Sequence, residues 1–183
     1  MRQSLGNVGV ALALMGIPAV AAAQHSMENP KHEFGVDISF AYEKPSGGQS
    51  LFAIATPVDL RIGFLAGNKL VVEPRFSFNF LSGGGSTLYT FTPDLNFLFA
   101  FQGNKQGPYF TAGAGVDLIH ASGGGSSGSA SQFNFNGGIG TRVPYESGAI
   151  RLEAFGRYFL KNTSKGLPNI LEIGARIGLS LWH

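Results

Sequence analysis

The chain has 183 residues, with 13 Lys+Arg against 11 Asp+Glu, 27 Gly, 16 Phe and no Cys. The length fits one domain, and the lack of cysteine excludes disulfides, thiolate metal sites and lipid attachment through an N-terminal cysteine. The near-neutral balance argues against nucleic acid as a partner, because phosphate binding needs a basic excess on one face.

Residues 1–23 read as a secretory leader. Arg2 supplies the positive start, Val8 to Ile17 is an apolar core, Pro18 breaks it, and Ala21-Ala22-Ala23 is an A-x-A cleavage site before Gln24. The core is too short to span a bilayer as a helix. The predicted mature domain is therefore 24–183, and it contains no apolar run long enough for a transmembrane helix.

Past a polar stretch from Gln24 to Lys31, the chain alternates with period two, as strands with two different faces do. Eight segments are predicted, near 33–42, 51–65, 69–81, 87–101, 108–120, 132–143, 149–160 and 170–183. Gly, Ser, Asn, Pro and Lys clusters separate them. Each segment is about as long as, or longer than, the 9–11 residues a tilted strand needs to cross a membrane.

One face of each strand is apolar. The third segment gives Leu70, Val72, Pro74, Phe76, Phe78 and Phe80; the last gives Leu171, Ile173, Ala175, Ile177, Leu179 and Leu181. The other face carries the charge: Glu33, Asp37, Asp59, Arg61, Glu73, Arg75, Asp94, Asp117, Arg142, Arg151, Glu153, Arg157, Glu172 and Arg176. A soluble barrel would put the apolar face inside; a membrane barrel puts it against lipid. Volume decides between them. The apolar phase holds fourteen of the sixteen Phe, which would overfill an eight-stranded interior. The charged phase instead carries Gly35, Gly63, Gly113, Gly115, Gly138, Gly140, Gly174 and Gly178, small residues that leave room for long charged ones in a narrow lumen. The expected fold is all-β: an eight-stranded antiparallel up-and-down transmembrane β-barrel.

Folded as hairpins, the inward charges pair. A three-residue turn at Ala66-Gly67-Asn68 sets Arg61 opposite Glu73 and Asp59 opposite Arg75. Further registers set Arg75 against Asp94, Arg157 against Glu172 and Glu153 against Arg176. The lumen network is thus expected to comprise Asp59, Arg61, Glu73, Arg75, Asp94, Arg151, Glu153, Arg157, Glu172 and Arg176. A desolvated lumen requires such pairing, because unpaired buried charge is costly.

His32-Glu33-Phe34-Gly35-Val36, Gly107 through Val116 and Arg151-Leu152-Glu153-Ala154 resemble the small outer-membrane β-barrel family, which includes opacity-type proteins and the OmpA transmembrane domain. The chain end also looks like the recognition signal of that family. Arg176, Gly178 and Leu181 follow its pattern, but the chain closes on His183 with Trp182 out of phase, where the family usually has Phe or Trp. The resemblance implies a bacterial outer-membrane location, a monomer, lipid and lipopolysaccharide as surroundings, and the barrel assembly machinery as a partner of the last strand. It also implies periplasmic termini and outward loops at 43–50, 82–86, 121–131 and 161–169.

His120-Ala121-Ser122 resembles the His-x-Ser pair of the outer-membrane lipid A deacylase barrels, where His activates Ser against an ester. Gly123 stands where that family has Asn, and no acid lies on the outward face of the next strand. His120 and Ser122 are therefore read as an interfacial His beside a Ser/Gly loop. Inward acids all have Arg in reach, which favours a structural role over acid–base catalysis. His25 and His32 lack carboxylate or Cys support, and the glycine runs lack a following Lys-Ser/Thr. No cofactor or metal is expected. The expected role is structural or binding; the alternatives are a lipid A hydrolase at the outer rim or a very narrow pore.

Overall fold

In the computed structural model, residues 30–48, 51–53 and 58–183 are described. The leader 1–23, His25 and part of the second predicted segment lie outside them. The strands are β1 (His32–Pro45), β2 (Leu51–Ala53), β3 (Val58–Ala66), β4 (Leu70–Gly83), β5 (Ser86–Ala100), β6 (Gly107–Gly123), β7 (Ser126–Tyr145), β8 (Gly148–Phe159) and β9 (Ile170–Trp182). Both β2 and β3 pair with β1 and together fill one position in the wall, so eight staves run up and down. Each stave pairs antiparallel with its sequence neighbour, and β9 returns to β1 from Glu33↔Trp182 to Pro45↔Ile170. That seam closes the staves into a barrel. It is finished by the last residue: the His32 amide donates to the His183 carbonyl at 3.1 Å, and the His183 amide donates back to His32 at 2.9 Å.

Two hairpins turn on glycine pairs. Gly84-Gly85 and Gly124-Gly125 have φ of 59° and 79°, and 58° and 82°. Two successive positive φ values make the tight turn whose twist matches paired strands, and glycine enters that region at no steric cost. The expected loop at 121–131 is consequently mostly strand: β6 and β7 stay paired up to Gly123↔Ser126. Backbone pairing needs no side-chain pattern, so a Ser/Gly stretch that reads as loop continues the ladder. The longest remaining connection, between β8 and β9, holds a short 3-10 turn at Thr163–Lys165.

Burial is inverted relative to a water-soluble domain. Among the described residues, 28 large apolar side chains are exposed, Phe80 at 68% and Ile139 at 69% among them, while Arg61 and Glu73 are 0% exposed. Such a belt greatly exceeds the apolar patch a water-soluble monomer tolerates. It is the lipid-facing surface of a membrane barrel with a polar interior. Tyr89 and Phe80 sit toward the end bearing the glycine turns; Phe101 and Phe110 sit toward the end bearing the termini, with Phe101 and Phe110 6.1 Å apart. Among the described phenylalanines, Phe155 and Phe159 are the ones buried inside on the charged phase.

The eight inward glycines make room for the lumen. A Cβ at Gly35 would strike the Arg61 guanidinium, one at Gly115 or Gly178 would strike the Asp94 or Asp37 carboxylate, and one at Gly140 would strike Tyr109. Small residues thus fix where the long side chains lie. Leu95, midway between Tyr89 and Phe101, tests the outer face. Leu95→Arg should lower stability against urea in lipid vesicles by about 2–4 kcal/mol, as a cation at the bilayer midplane does. A water-facing position would lose less than about 0.5 kcal/mol, so an unchanged midpoint would place Leu95 in water.

Candidate functional site

Alternation along every strand delivers the charged side chains to one interior, and there they separate into two groups. The group nearer the termini is densely paired around Arg61. Its Nε and Nη2 donate to both oxygens of Asp37 at 2.5 and 3.0 Å, its Nη1 donates to Glu33 at 2.9 Å and, more weakly, to Glu73 at 3.4 Å. Ser180 on β9 donates to Glu33 at 2.6 Å and accepts from Arg61 at 3.2 Å. Arg142 on β7 donates to the other oxygen of Glu33 at 2.6 Å and to the Asn104 carbonyl. Glu73 receives Arg75 at 2.8 Å and Arg151 at 2.6 Å. Arg151 reaches Glu153 at 3.1 Å, and Tyr109 donates to the same carboxylate at 3.0 Å.

Bidentate and shared geometry of this kind is what lets buried charges persist, since each carboxylate lone pair and guanidinium hydrogen needs a partner. Tyr109 also presents its ring to two cations, with Arg151 at 5.0 Å and Arg142 at 5.8 Å from the centroid. Below this network Val71, Leu98, Ala100 and Tyr109 form a small apolar cluster. All four are buried.

The group nearer the glycine turns is looser. Arg157 donates to Asp94, Thr92 donates to Asp117, and Arg176 lies 3.5 Å from Glu153 while covering the Phe155 ring at 3.9 Å. Here a cavity of about 350 Å³ opens inside the barrel, lined in part by Glu43, Asp59, Asp117, Glu172, Arg157 and Arg176.

All ten predicted network residues are buried in the lumen, but two pairings differ from expectation. The β3–β4 register sets Arg61 against Arg75 and Asp59 against Ser77. The three-residue turn falls one position later, with Ala66 pairing Leu70, so the register moves by two and every side chain keeps its face. Arg75 consequently takes Glu73 on its own strand as ion partner, and Asp59 has no ion pair among the described residues. The registers Arg75↔Asp94, Arg157↔Glu172 and Glu153↔Arg176 are as expected. Arg157, however, bonds Asp94 across the lumen, and its facing neighbour Glu172 has no ion pair among the described residues.

Sequence reasoning missed the central roles of Glu33, Asp37 and Arg142. All three carried the inward phase, but their partners sit on non-adjacent strands or come from side chains whose reach a hairpin diagram cannot show. Tyr109 was hidden because an aromatic on the charged phase gives no polar signal.

His120 and Ser122 are not brought together. His120 Nδ1 lies 2.9 Å from Ser129 Oγ, its register partner on β7, and the ring stacks on Tyr89 at 4.9 Å. Ser122 pairs with Thr87 and Ser127 farther toward the tip. The groove beside His120 is lined by Tyr89, Phe91, Leu118, Ser129, Ser131 and Lys165 among others, with no carboxylate to orient the imidazole. Among the described residues, no group of three His, Asp or Glu side chains is placed to hold a metal ion.

Solved structures share this architecture. The chain is similar to Ail, the attachment invasion locus protein of Yersinia pestis, at 14% identity over 84% of this chain and 99% of that one, with a TM-score of 0.55. It is similar to Neisserial surface protein A at 17% identity over 84% and 97%, with a TM-score of 0.54. Both are small eight-stranded outer-membrane barrels, so the fold is theirs. No protein-family model and no curated protein matches the chain.

The ion assignments separate two acids. Glu73→Ala leaves Arg61, Arg75 and Arg151 short of a buried partner and should cost roughly 3–5 kcal/mol in urea unfolding from vesicles. Asp59→Ala should cost less than about 1 kcal/mol, because no ion pair is lost. Equal losses would restore the Asp59–Arg75 pairing.

Proposed function

We propose that the chain is a bacterial outer-membrane β-barrel with a structural or binding role, closed to bulk flow by its own side chains and without catalysis of its own. The observation that carries this reading is the Arg61 network. It spans β1, β3, β4, β7, β8 and β9 and leaves Arg61, Glu33 and Glu73 unreachable by solvent. Eight strands enclose a space that side chains just fill, and here the half nearer the termini is filled with balanced charge. The inverted surface supplies the second support, since its apolar belt suits hydrocarbon.

The surroundings of the belt would be outer-membrane lipid and lipopolysaccharide. The exposed positions of β9, ending at the His183–His32 bonds, would be what the assembly machinery engages before the seam closes. The termini would face the periplasm and the glycine-turn end the exterior. A hydrolase at the rim would need an oriented His and a nucleophile in reach. The contact between Ser129 and His120 supplies one partner, and the groove offers no acid behind it.

Two measurements test the reading. In planar bilayers the wild type should give no steady ion conductance, whereas Arg61→Ala combined with Glu33→Ala should open discrete current steps; steady wild-type current would make the protein a pore. Lipid A from cells with and without the gene should have the same acyl pattern by mass spectrometry, and loss of an acyl chain would make it an enzyme.

A further inference from the structure

The cavity between the plug and the glycine-turn end carries more acid than its neighbours neutralise. Glu43, Asp59, Asp117 and Glu172 line it, and none lies within ion-pair distance of a cation among the described residues. Two arginines reach the cavity: Arg157 is paired with Asp94, and Arg176 shares Glu153 with Arg151, so they are fewer than the four acids. Even with Arg176 counted as a free cation, the four acids outnumber it. Asp59 is 2% exposed and, among the described residues, its Oδ1 makes no hydrogen bond; nor does Ser77 Oγ, on its register partner in β4. A buried carboxylate oxygen left without donors loses its hydration and gains nothing in return. Its natural completion is a cationic donor from outside the chain.

The placement of the acids selects the kind of cation. A calcium or magnesium ion needs several oxygens converging to within about 2.0–2.6 Å. No three acidic or His side chains converge so, among the described residues. The acids instead surround an open space, Glu43 and Glu172 facing each other across β1 and β9, and Leu88, Ile119, Phe155 and Ile170 share the lining. Carboxylates spread around a partly apolar lining match ammonium groups joined by methylenes, because the methylenes can be desolvated while each charge keeps a partner. The low dielectric of the lumen strengthens those pairs.

We infer that this half of the lumen is a binding site for a linear aliphatic polyamine, with Asp59, Asp117, Glu172 and Glu43 as its ammonium acceptors. The site deepens the binding role proposed above and rests on the plug that forms its floor. Neither Asp59 nor Glu172 holds an ion pair, so neutral isosteres there leave the Arg61 network intact.

The test is calorimetric titration of the folded mature protein in a nonionic detergent with spermidine, putrescine, calcium, magnesium and alanine. Spermidine should bind saturably, near one per barrel. Asp59→Asn combined with Glu172→Gln should weaken it by about tenfold or more while the heat-modifiable gel shift stays unchanged. Glu146→Gln, in the turn at the opposite end, should bind as the wild type does. No spermidine binding, binding unaffected by the double substitution, or preferential binding of calcium, magnesium or alanine would each overturn the site. Steady bilayer conductance together with saturable spermidine binding would overturn the plug and keep the site, so the two readings fail separately.

Discussion

A guanidinium cannot be buried without acids around it, and the fold is organised by that constraint at Arg61. Moving such a cation from water to a low-dielectric interior costs several kcal/mol unless good geometry and further hydrogen bonds compensate. Asp37 meets it with two bonds, Glu33 and Glu73 with one each, and those acids in turn recruit Arg142, Arg75 and Arg151. The partners come from staves that are far apart in sequence. The wall must therefore close in one register for the centre to be satisfied, and a barrel slipped at any of these hairpins would strand a charge.

Closure and filling depend on each other. Hydrocarbon on the outside offers no donors or acceptors, so every backbone group must be paired within the wall. The wall then encloses a narrow space that its own side chains largely fill. Glycine resolves the crowding at Gly35, Gly115, Gly140 and Gly178, where a neighbour's charged or phenolic group occupies the place of the missing Cβ. The two halves of the lumen differ because the filling is uneven. Near the termini acids and arginines balance; toward the other end the carboxylates are in excess and space remains.

Much of this was legible before any coordinates. Period-two alternation gave the staves, and the crowd of phenylalanines on one phase, with glycine and charge on the other, gave the direction of inversion. The eight inward glycines were identifiable because they shared a phase with the arginines. Three things were not legible. The β3–β4 register differs by two from the expected one, and a shift of two leaves the alternation identical, so no face pattern can detect it. What holds the turn in place is remote: Asn104 donates through its side chain to Gly67 at 2.5 Å and through its amide to Asn68 at 2.8 Å. Pairs across the lumen, such as Arg157 with Asp94, join staves that are not neighbours. The fate of His120 also turned on a tertiary detail, since Ser129 opposite it on β7 takes the contact that sequence proximity suggested for Ser122.

The β6–β7 hairpin has a consequence of its own. Four successive pairs, from His120↔Ser129 to Gly123↔Ser126, continue above the last lipid-facing leucine of β6. At about 3.3 Å per residue they carry the tip roughly 13 Å farther. A proteolytic enzyme must bind its target as an unpaired extended segment, and exposed Gly/Ser tips are ordinarily where chains are nicked. Here that composition is held in a two-stranded ladder almost to its end, bent only at Gly124-Gly125. The protein thus presents its softest-looking sequence as a stiff, side-chain-poor blade, with few handles for cleavage or for antibodies.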